Sequence, residues 1–298
     1  MYVGVDVGGT KVLAVELLED GRVGRSARRA TPRRGARDRD LDAVVDEAIT
    51  EVAAGRDVTG IGLSVAGLVD PARDLVRFAT HLPWVEDPVR SRLAARWGLP
   101  VVLDNDANCA AVAELALGVA RGVDSFVMVM VGTGIGGAIV EGGQLVRGAN
   151  GMAGEFGHMK VVHDGLPCPC GLTGCWEQYA SGNTLPRLIG DERPDLTDGL
   201  AVGAAAESGD RVALAALAEV GDWLGVGIAN LVSALDPALV VVGGGVSAVG
   251  DLLLDPARVA LERSVLGVGH RRLPPIVRAR FGPDAGAVGA AYLAADAG

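Results

Sequence analysis

Apolar residues in this chain fall in short runs that end at glycines, acids or amides. The first run, residues 2–7, stops at Gly8-Gly9, and a second run covers residues 12–18. Two apolar runs joined by a tight glycine turn predict a β-hairpin rather than a strand followed by a helix. Residues 40–54 carry apolar positions at helical spacing, so we predict a helix there with Asp40 as its N-cap.

The alternation of strands and helices continues along the chain. Buried strands are predicted at residues 61–70, 101–108 and 238–247, and residues 126–140 are apolar on both sides of a glycine loop. A turn is predicted at 19–21. Helices are predicted from residue 107 to Gly118, over about 200–235 and at the C-terminal end. Such alternation indicates an α/β fold. The same order of elements occurs twice along the chain: a strand that ends in a glycine turn, a hairpin, helices and then further strands. No disordered linker separates the two rounds, and we place the boundary between the two domains near Asp106.

Composition narrows the class of protein. The 298 residues are 49% hydrophobic and 21% charged, which suits a globular protein of about two domains. The net charge of −10 argues against a protein that coats nucleic acid or an anionic membrane. No basic region precedes the first apolar run, and no run approaches the roughly 20 residues of a membrane span. Because four cysteines without a secretory signal suit a reducing compartment, we expect a cytoplasmic protein.

One stretch of the chain is strongly basic, although the whole chain has a negative net charge. Residues 25–39 carry seven arginines around one proline. The stretch has two interpretations: a solvated strand edge and loop, or a binding site for a polyanion. The negative charge of the whole chain favours the first interpretation, because a polyanion would be repelled by the rest of the surface.

The first glycine turn is similar to a phosphate-binding P-loop but departs from its order. Residues 4–11 read GVDVGGTK, with Thr10 before Lys11, whereas the Walker sequence places lysine before the hydroxyl residue. Backbone N–H groups of a glycine turn can still approach phosphate oxygens, because no side chain intervenes. Asp6 is placed to hold Mg²⁺ directly or through water. The alternative is a plain hairpin turn.

A second glycine turn, GTGIGG at residues 132–137, satisfies the GxGxxG pattern of dinucleotide sites. That interpretation requires a helix directly after the glycines, but AIVEGGQLV predicts a strand, a turn and a strand, so we reject NAD. Two glycine hairpins suggest two loops that grip one polyphosphate. A third cluster, Gly243-Gly244-Gly245, follows a buried strand, and it either leaves room for an adenine ring or simply turns the chain into a helix.

Three polar residues, Asp104, Asn105 and Asp106, stand at a strand end before a helix. Phosphoryl transfer to an alcohol requires a carboxylate that orients the hydroxyl group and accepts its proton. The carboxyl end of a strand is a favourable place for that group, so Asp106 and Asn105 are the candidates. Asp and Asn are also preferred N-caps, and we expect one of the three to cap the helix.

Three of the four cysteines fall within one short stretch, CPCGLTGC. The spacing is too tight for structural disulfides and lacks the CxxC pattern of redox sites, whereas thiolates bind zinc well in closed tetrahedral sites. Cys168, Cys170 and Cys175 would supply three ligands, and His158 or His163 the fourth.

A closed zinc site is structural, because no coordination position stays open for a substrate. It would fix the backbone of residues 155–177, which carries Glu155, His158 and Glu177. Two carboxylates beside a fixed imidazole form a suitable surface for several hydroxyl groups, which suggests a sugar. The remaining cysteine, Cys109, is expected to be a small core residue.

Seven motifs in order resemble the ROK family of sugar kinases, and within it the bacterial ATP-dependent glucokinases, over essentially the whole chain. They are GVDVGGTK at 4–11, SVAGLVD at 64–70, LDNDAN at 103–108, VGTGIGGAIV at 131–140, GEFGH at 154–158, CPCGLTGCWE at 168–177 and VVGGGVS at 241–247. Each motif alone is weak, but their order and spacing together are specific.

The resemblance implies an α/β fold of two actin-like (ribonuclease H-like) ATPase domains with an interdomain cleft. The small domain would comprise residues 1–106 plus about 284–298, with the C-terminal helix packed back on it, and the large domain 107–283 with the zinc-binding loop. The implied activity is ATP-dependent phosphorylation of the 6-hydroxyl of glucose, with Mg²⁺ accompanying ATP. The implied assembly is a homodimer or homotetramer with no nucleic-acid or membrane partner.

The resemblance also assigns roles to residues, with Asp106 as the general base. Sugar hydroxyls would be held by Gly67, Asn105, Asp106, Glu155, His158 and Glu177. ATP and its phosphates would be bound by Asp6, Gly8, Gly9, Thr10, Lys11, Thr133, Gly134 and Gly244. Structural zinc would be bound by His158, Cys168, Cys170 and Cys175.

Other functions remain open from the sequence. A DNA-binding repressor of the same family would carry an extra N-terminal helix-turn-helix segment, for which we expect no room before Tyr2. A sugar sensor with a dead site is disfavoured because all the catalytic positions are present. The sugar could also be N-acetylmannosamine, fructose, allose or mannose, and the donor could be polyphosphate instead of ATP.

Overall fold

The computed structural model describes residues 1–18, 20–32 and 37–297, so the predicted turn at 19–21 and the arginine-rich stretch lie partly outside the described residues. Contacts divide the chain into two units, each containing one five-stranded sheet. The first unit comprises Met1–Arg121, Leu145–Ala153 and the residues from Asp284 onward, and the second comprises Gly122–Gln144 and Gly154–Pro283.

Strands and helices alternate along the described residues. The strands are β1 (Tyr2–Val7), β2 (Lys11–Leu17), β3 (Val23–Ala30), β4 (Gly60–Val65), β5 (Leu68–Val69), β6 (Val76–Phe78), β7 (Val101–Asn105), β8 (Phe126–Val131), β9 (Ile135–Glu141), β10 (Gln144–Leu145), β11 (Leu239–Gly243) and β12 (Ile276–Arg278). The helices are α1 (Asp38–Ala53), α2 (Val89–Trp97), α3 (Asp106–Leu117), α4 (Glu177–Ala180), α5 (Thr184–Ile189), α6 (Gly199–Glu207), α7 (Arg211–Leu235), α8 (Asp251–Ser264) and α9 (Ala285–Asp296).

The two sheets repeat one topology. The first has the order β3-β2-β1-β4-β7, in which β1 is antiparallel to β2 and parallel to β4. The second has the order β10-β9-β8-β11-β12, in which β8 is antiparallel to β9 and parallel to β11. The predicted hairpins at both glycine turns and the two rounds of one theme are therefore confirmed. The fold is the α/β, actin-like fold that the resemblance implies.

The C-terminal helix α9 packs on the sheet of the first unit, as predicted. Glycines on that face of the sheet permit the close approach. A Cβ atom on Gly4 would lie 1.9 Å from the carbonyl oxygen of Ala287, and one on Gly62 would lie 1.8 Å from that of Ala290. The helix backbone thus occupies the space that side chains would need at these two positions.

The units group some residues differently from the predicted domains. The prediction assigns residues 107–121 and 145–153 to the large domain, whereas in the structure they belong to the first unit. Helix α3 packs tightly on α9, where a Cβ atom on Gly289 would lie 1.7 Å from the carbonyl oxygen of Cys109. Such contacts between distant parts of the chain leave no mark on local composition.

The start of α1 differs from the prediction. The helix begins at Asp38, with the extended residue Arg37 at the N-cap, so the expected cap at Asp40 is wrong. Asp40 lies in the first turn instead, and its carboxylate accepts a hydrogen bond of 3.1 Å from the Arg37 N–H group. An acidic side chain there also interacts favourably with the helix dipole.

The described part of the arginine-rich stretch behaves as a solvated edge. Strand β3 is the outermost strand of its sheet and is mostly exposed. Arg29 pairs with Glu47 and Glu51 of α1, and Arg28 lies 3.8 Å from Asp284. These acidic partners favour the first of the two interpretations.

Helix α7 lies within the predicted helical stretch at about 200–235 and is the only helix within the described residues that is long and apolar enough to cross a membrane. Its most apolar window has a mean hydropathy of 1.6, and 56% of that window is buried. Leu217, Val220 and Leu224 of α7 belong to the core of the second unit, where α7 packs against α8. The core helix of a folded unit has the same length and composition, so α7 is weak evidence for a membrane span.

Candidate active site

The turn between β1 and β2 contains four predicted phosphate-binding residues, Gly8 to Lys11. The Gly8 N–H group donates to the Lys11 carbonyl at 2.9 Å, which closes the turn. Thr31 holds it from the side, because its hydroxyl donates to the Gly8 carbonyl at 2.6 Å and its N–H group to the Thr10 carbonyl at 3.1 Å. Three hydrogen bonds therefore hold the turn in its observed shape.

Asp6, the predicted magnesium ligand, lies on β1 directly opposite Ser64 of β4. The Ser64 hydroxyl donates to Oδ1 of Asp6 at 2.7 Å. Burial raises the pKa of the Asp6 carboxyl; the Ser64 hydrogen bond and the charge of Lys11 oppose the rise, whereas Asp284 adds to it. A carboxylate in such a place is stabilised by a nearby cation. Sequence reasoning missed Ser64 and Asp284.

Asn105 is the residue that caps α3. Its side-chain oxygen accepts hydrogen bonds from the N–H groups of Ala107 at 2.9 Å and Asn108 at 3.2 Å. Its side-chain amide donates to the Gly67 carbonyl at 3.1 Å, so the structure brings together two of the predicted sugar-binding residues. The prediction that one of the three polar residues caps the helix is confirmed.

Asp104, which begins the same triplet, is a structural carboxylate. It is 1% exposed, and its Oδ2 accepts hydrogen bonds from Nε and Nη2 of Arg147 at 2.9 and 2.7 Å. Its Oδ1 accepts from the Asn105 N–H group and from the Asn108 side chain, both at 2.9 Å. Arg147 was not singled out from the sequence, because it is 43 residues away.

Asp106, the predicted general base, is the first residue of α3. One of its carboxylate oxygens accepts the N–H group of Ala107 at 2.9 Å. The residue therefore lies where a strand ends and a helix begins, with Asn105 serving as the cap.

The predicted metal ligands of the second unit converge. Sγ of Cys170 lies 3.7 Å from Sγ of Cys175, and Sγ of Cys168 lies 3.9 Å from Nδ1 of His158. The four ligand atoms all lie within 4.8 Å of one another. The alternative ligand His163 is 87% exposed in its side chain and pairs with Asp164, so of the two histidines His158 joins the cluster.

This donor set fits a tetrahedral zinc ion. Two sulfurs bound to one zinc at about 2.3 Å lie roughly 3.8 Å apart. Burial raises the pKa of Cys175 to about 12, with both neighbouring thiols adding to the rise. Burial also raises the pKa of Cys168 above its ordinary value, although a hydrogen bond with Cys175 opposes the rise. Burial also opposes ionisation of Cys170, but hydrogen bonds from the Leu172 backbone and the other two thiols lower its pKa. Three thiolates in this space therefore require a cation to compensate their charge.

The predicted sugar-binding carboxylates of the second unit lie beside this cluster in sequence. Glu155 comes directly before the 3₁₀ turn Phe156–His158, and Glu177 begins α4. Partial burial raises the pKa of Glu155, and the charge of Glu177 adds to the rise, while His158 opposes it. Oε2 of Glu177 accepts the Ile135 N–H group at 2.9 Å.

The turn between β8 and β9 contains Thr133 and Gly134. The Gly132 N–H group donates to the Gly134 carbonyl at 2.9 Å, and strand β9 follows directly, as the rejection of a dinucleotide site requires. Gly244 has a φ of +83°, and a Cβ atom on it would lie 2.4 Å from the Val131 carbonyl oxygen. The third glycine cluster thus packs against the end of β8.

Each unit therefore contains part of the predicted site. The first unit contains Asp6, Gly8, Gly9, Thr10, Lys11, Gly67, Asn105 and Asp106. The second contains Thr133, Gly134, Gly244, Glu155, His158, Cys168, Cys170, Cys175 and Glu177.

Known proteins are similar to this chain over nearly its full length. The family model described as "ROK family" matches residues 2–297. A glucokinase of Streptomyces coelicolor is 39% identical over 99% of this chain and 97% of its own. An N-acetyl-D-glucosamine kinase of Citrobacter koseri is 34% identical over 98% of this chain and 99% of its own. A crystal structure of a ROK family glucokinase from Streptomyces griseus, in complex with glucose and AMPPNP, is 39% identical, covers 99% of both chains and superposes with a TM-score of 0.91. The chain belongs to the ROK family.

Proposed function

We propose that this protein transfers the γ-phosphoryl group of ATP to the 6-hydroxyl of glucose, forming glucose 6-phosphate and ADP. The full-length similarity to glucokinases supports the activity. One observation carries the assignment of its base. Asp106 places a carboxylate at the junction of β7 and α3, directly after Asn105, the residue that caps the helix.

Asp106 acts as the general base in this proposal. It orients the 6-hydroxyl group and takes its proton as the sugar oxygen attacks the γ-phosphorus. The bond between the γ-phosphorus and its bridging oxygen breaks, and the electron pair leaves with ADP. The protein contributes mainly positioning and charge stabilisation, which dominate phosphoryl transfer.

The two glycine turns are the proposed phosphate sites. Backbone N–H groups of Gly8 to Lys11 and of Thr133-Gly134 would face phosphate oxygens, and the Lys11 ammonium would add positive charge. Asp6 would hold Mg²⁺, directly or through water, which accords with a partly buried carboxylate whose pKa is raised by burial. Gly244 would lie beside the adenosine.

The sugar hydroxyls are assigned to polar groups of both units. The proposed ligands are the Gly67 turn, Asn105, Glu155, His158 and Glu177. Carboxylates accept hydrogen bonds from hydroxyl groups, and the second ring nitrogen of a metal-bound histidine remains available to bond one more.

Zinc has a structural role in this proposal. His158, Cys168, Cys170 and Cys175 would hold it, and the ion would neutralise the thiolates and fix the loop. The four protein ligands would fill a tetrahedron, so the zinc ion would take no direct part in phosphoryl transfer. A cytoplasmic homodimer or homotetramer remains the prediction for assembly.

A kinase for another hexose is the second candidate. The similarity to an N-acetyl-D-glucosamine kinase, 34% identical, favours it specifically. The proposal is tested by measuring ADP formation with glucose, N-acetylglucosamine, N-acetylmannosamine, mannose, fructose and allose, each with ATP and with polyphosphate. We expect the highest kcat/KM for glucose with ATP. Turnover of an N-acetylated sugar alone would overturn the glucose assignment, and sugar binding without ADP formation would indicate a sensor.

A further inference from the structure

The first residue of the short helix α4 and a residue just after the helix both form hydrogen bonds with the segment that contains the glycine turn between β8 and β9. At its start, Oε2 of Glu177 accepts the Ile135 N–H group at 2.9 Å. Two residues beyond its end, the Gly182 N–H group donates to the Gly132 carbonyl at 2.8 Å. Gly132, which opens the turn, and Ile135, which follows it, are therefore both hydrogen-bonded to one six-residue span of chain, residues 177–182.

The contacts are too close for side chains at two of these positions. A Cβ atom on Gly134 would lie 2.0 Å from Oε2 of Glu177, so the carboxylate occupies the space that a side chain at position 134 would need. A Cβ atom on Gly182 would lie 2.7 Å from the Gly132 carbonyl oxygen. Glycine at Gly134 thus has a second role besides turn geometry, because it makes room for the carboxylate.

The two residues before Glu177 are held in place by the core and by the metal cluster. The preceding residue, Trp176, is fully buried, and its indole N–H group donates to the Trp223 carbonyl at 2.7 Å. Its backbone N–H group donates to the Met159 carbonyl at 2.8 Å. Cys175, one residue earlier, belongs to the metal cluster. Glu177 is therefore held by the core and by the loop of residues 158–175, which carries the four metal ligands and is called the metal loop below.

We propose that Glu177 is a positioning residue for the nucleotide as well as a sugar ligand. One oxygen of its carboxylate holds the Ile135 N–H group and so sets the shape of the Thr133-Gly134 turn, while the other oxygen can meet a sugar hydroxyl. The inference rests on the proposed function, in which this turn binds ATP phosphates. It gives the metal loop a role on the phosphate side of the reaction.

Nucleotide binding in the absence of sugar separates this role from sugar contact. The measurement is the affinity for AMPPNP with Mg²⁺, by titration calorimetry, with no sugar present. We expect Glu177→Ala to weaken binding roughly tenfold, the scale of one lost charge-assisted hydrogen bond. Glu177→Gln should stay within about threefold of the parent protein, because the amide oxygen can still accept the Ile135 N–H group.

Glu155→Ala is the matched control. Glu155 is also a proposed sugar ligand, but within the described residues no hydrogen bond joins its carboxylate to the turn, so nucleotide affinity without sugar should not change. In turnover, Glu177→Ala should raise KM for ATP and for glucose, whereas Glu155→Ala should raise KM for glucose alone. Hydrogen exchange of residues 132–135, measured without ligands, should be faster in Glu177→Ala than in Glu155→Ala.

Three results would overturn the inference. Unchanged AMPPNP affinity in Glu177→Ala, with glucose affinity lost, would leave the proposed function standing and reduce Glu177 to a sugar ligand. Equal losses in Glu177→Gln and Glu177→Ala would show that charge, and not the bond to Ile135, matters. A parent protein that binds no AMPPNP would overturn the proposed function together with the inference. If the alanine variant does not fold, Glu177→Asp replaces it, because its carboxylate is one methylene too short.

Discussion

At the scale of residues, three consecutive polar side chains have three different surroundings. Asp104 is buried and ion-paired, Asn105 caps α3, and Asp106 opens the helix beside them. The first two hold the backbone on the N-terminal side of Asp106. A carboxylate held in this way needs little reorganisation when a hydroxyl group approaches it, which is what general-base catalysis requires.

Replacing Asp106 tests the assignment of the base. We expect Asp106→Asn to lower kcat by roughly 10² or more, the scale of a lost general base, since an amide cannot accept the proton. The free energy of unfolding should change little because Asn105 supplies the cap. Steady-state kinetics and urea unfolding check the two parts. Near-normal turnover would remove Asp106 from the mechanism.

Replacing Arg147 tests the ion pair that holds Asp104, two residues before Asp106. Arg147→Met leaves the Asp104 carboxylate buried without its cation, so we expect a loss of about 3 kcal/mol in the free energy of unfolding. The double variant Asp104→Asn/Arg147→Met should recover a large part of the loss, because no buried charge remains. Arg90→Met, which breaks the more exposed pair with Asp74, is the control and should cost under about 1 kcal/mol. An equal loss in the single and double variants would contradict this explanation.

At the scale of elements, local turn chemistry made both glycine hairpins predictable, because glycine clusters between apolar runs leave few alternatives. Three cysteines in one stretch likewise indicated the metal cluster. The start of α1 was misplaced, since the choice between Asp38 and Asp40 depends on one backbone conformation. Ser64 and Arg147 could not be found from the sequence, because each acts on a carboxylate more than 40 residues away.

The metal loop should lose its order without the metal. Cys168→Ala, or treatment with a strong zinc chelator, leaves too few ligands to compensate the remaining thiolates. We expect faster hydrogen exchange over residues 158–177 and the loss of sugar phosphorylation, with the exchange of β1 and β4 unchanged. Cys109→Ala, a change to a buried cysteine outside the cluster, is the control and should retain the metal. Full activity and unchanged exchange in zinc-free protein would contradict the structural role.

At the scale of the whole molecule, one topology occurs twice, and the chain returns to its first unit through α9. The packing of α9 on the first sheet depends on glycines in β1 and β4. The last helix therefore completes the unit that the first strand begins.

The fit of α9 can be tested with a single methyl group. In Gly62→Ala the new carbon would lie 1.8 Å from the Ala290 carbonyl oxygen, so α9 must shift. We expect the free energy of unfolding to fall by at least about 3 kcal/mol, the upper range for overpacking. Gly245→Ala, where the nearest atom is 3.8 Å away, is the control and should change it by under about 1 kcal/mol. Equal stability of the two variants would contradict the close packing.

The most direct test of the central claim compares glucose with 6-deoxyglucose as the acceptor for ATP. The two sugars share every hydroxyl group except the one proposed to be phosphorylated. We predict that purified protein with ATP and Mg²⁺ releases one ADP for each glucose 6-phosphate formed, and that 6-deoxyglucose gives only the background rate. Equal ADP release with both sugars, or none with glucose, would contradict the assignment of this chain as a kinase for the 6-hydroxyl of glucose.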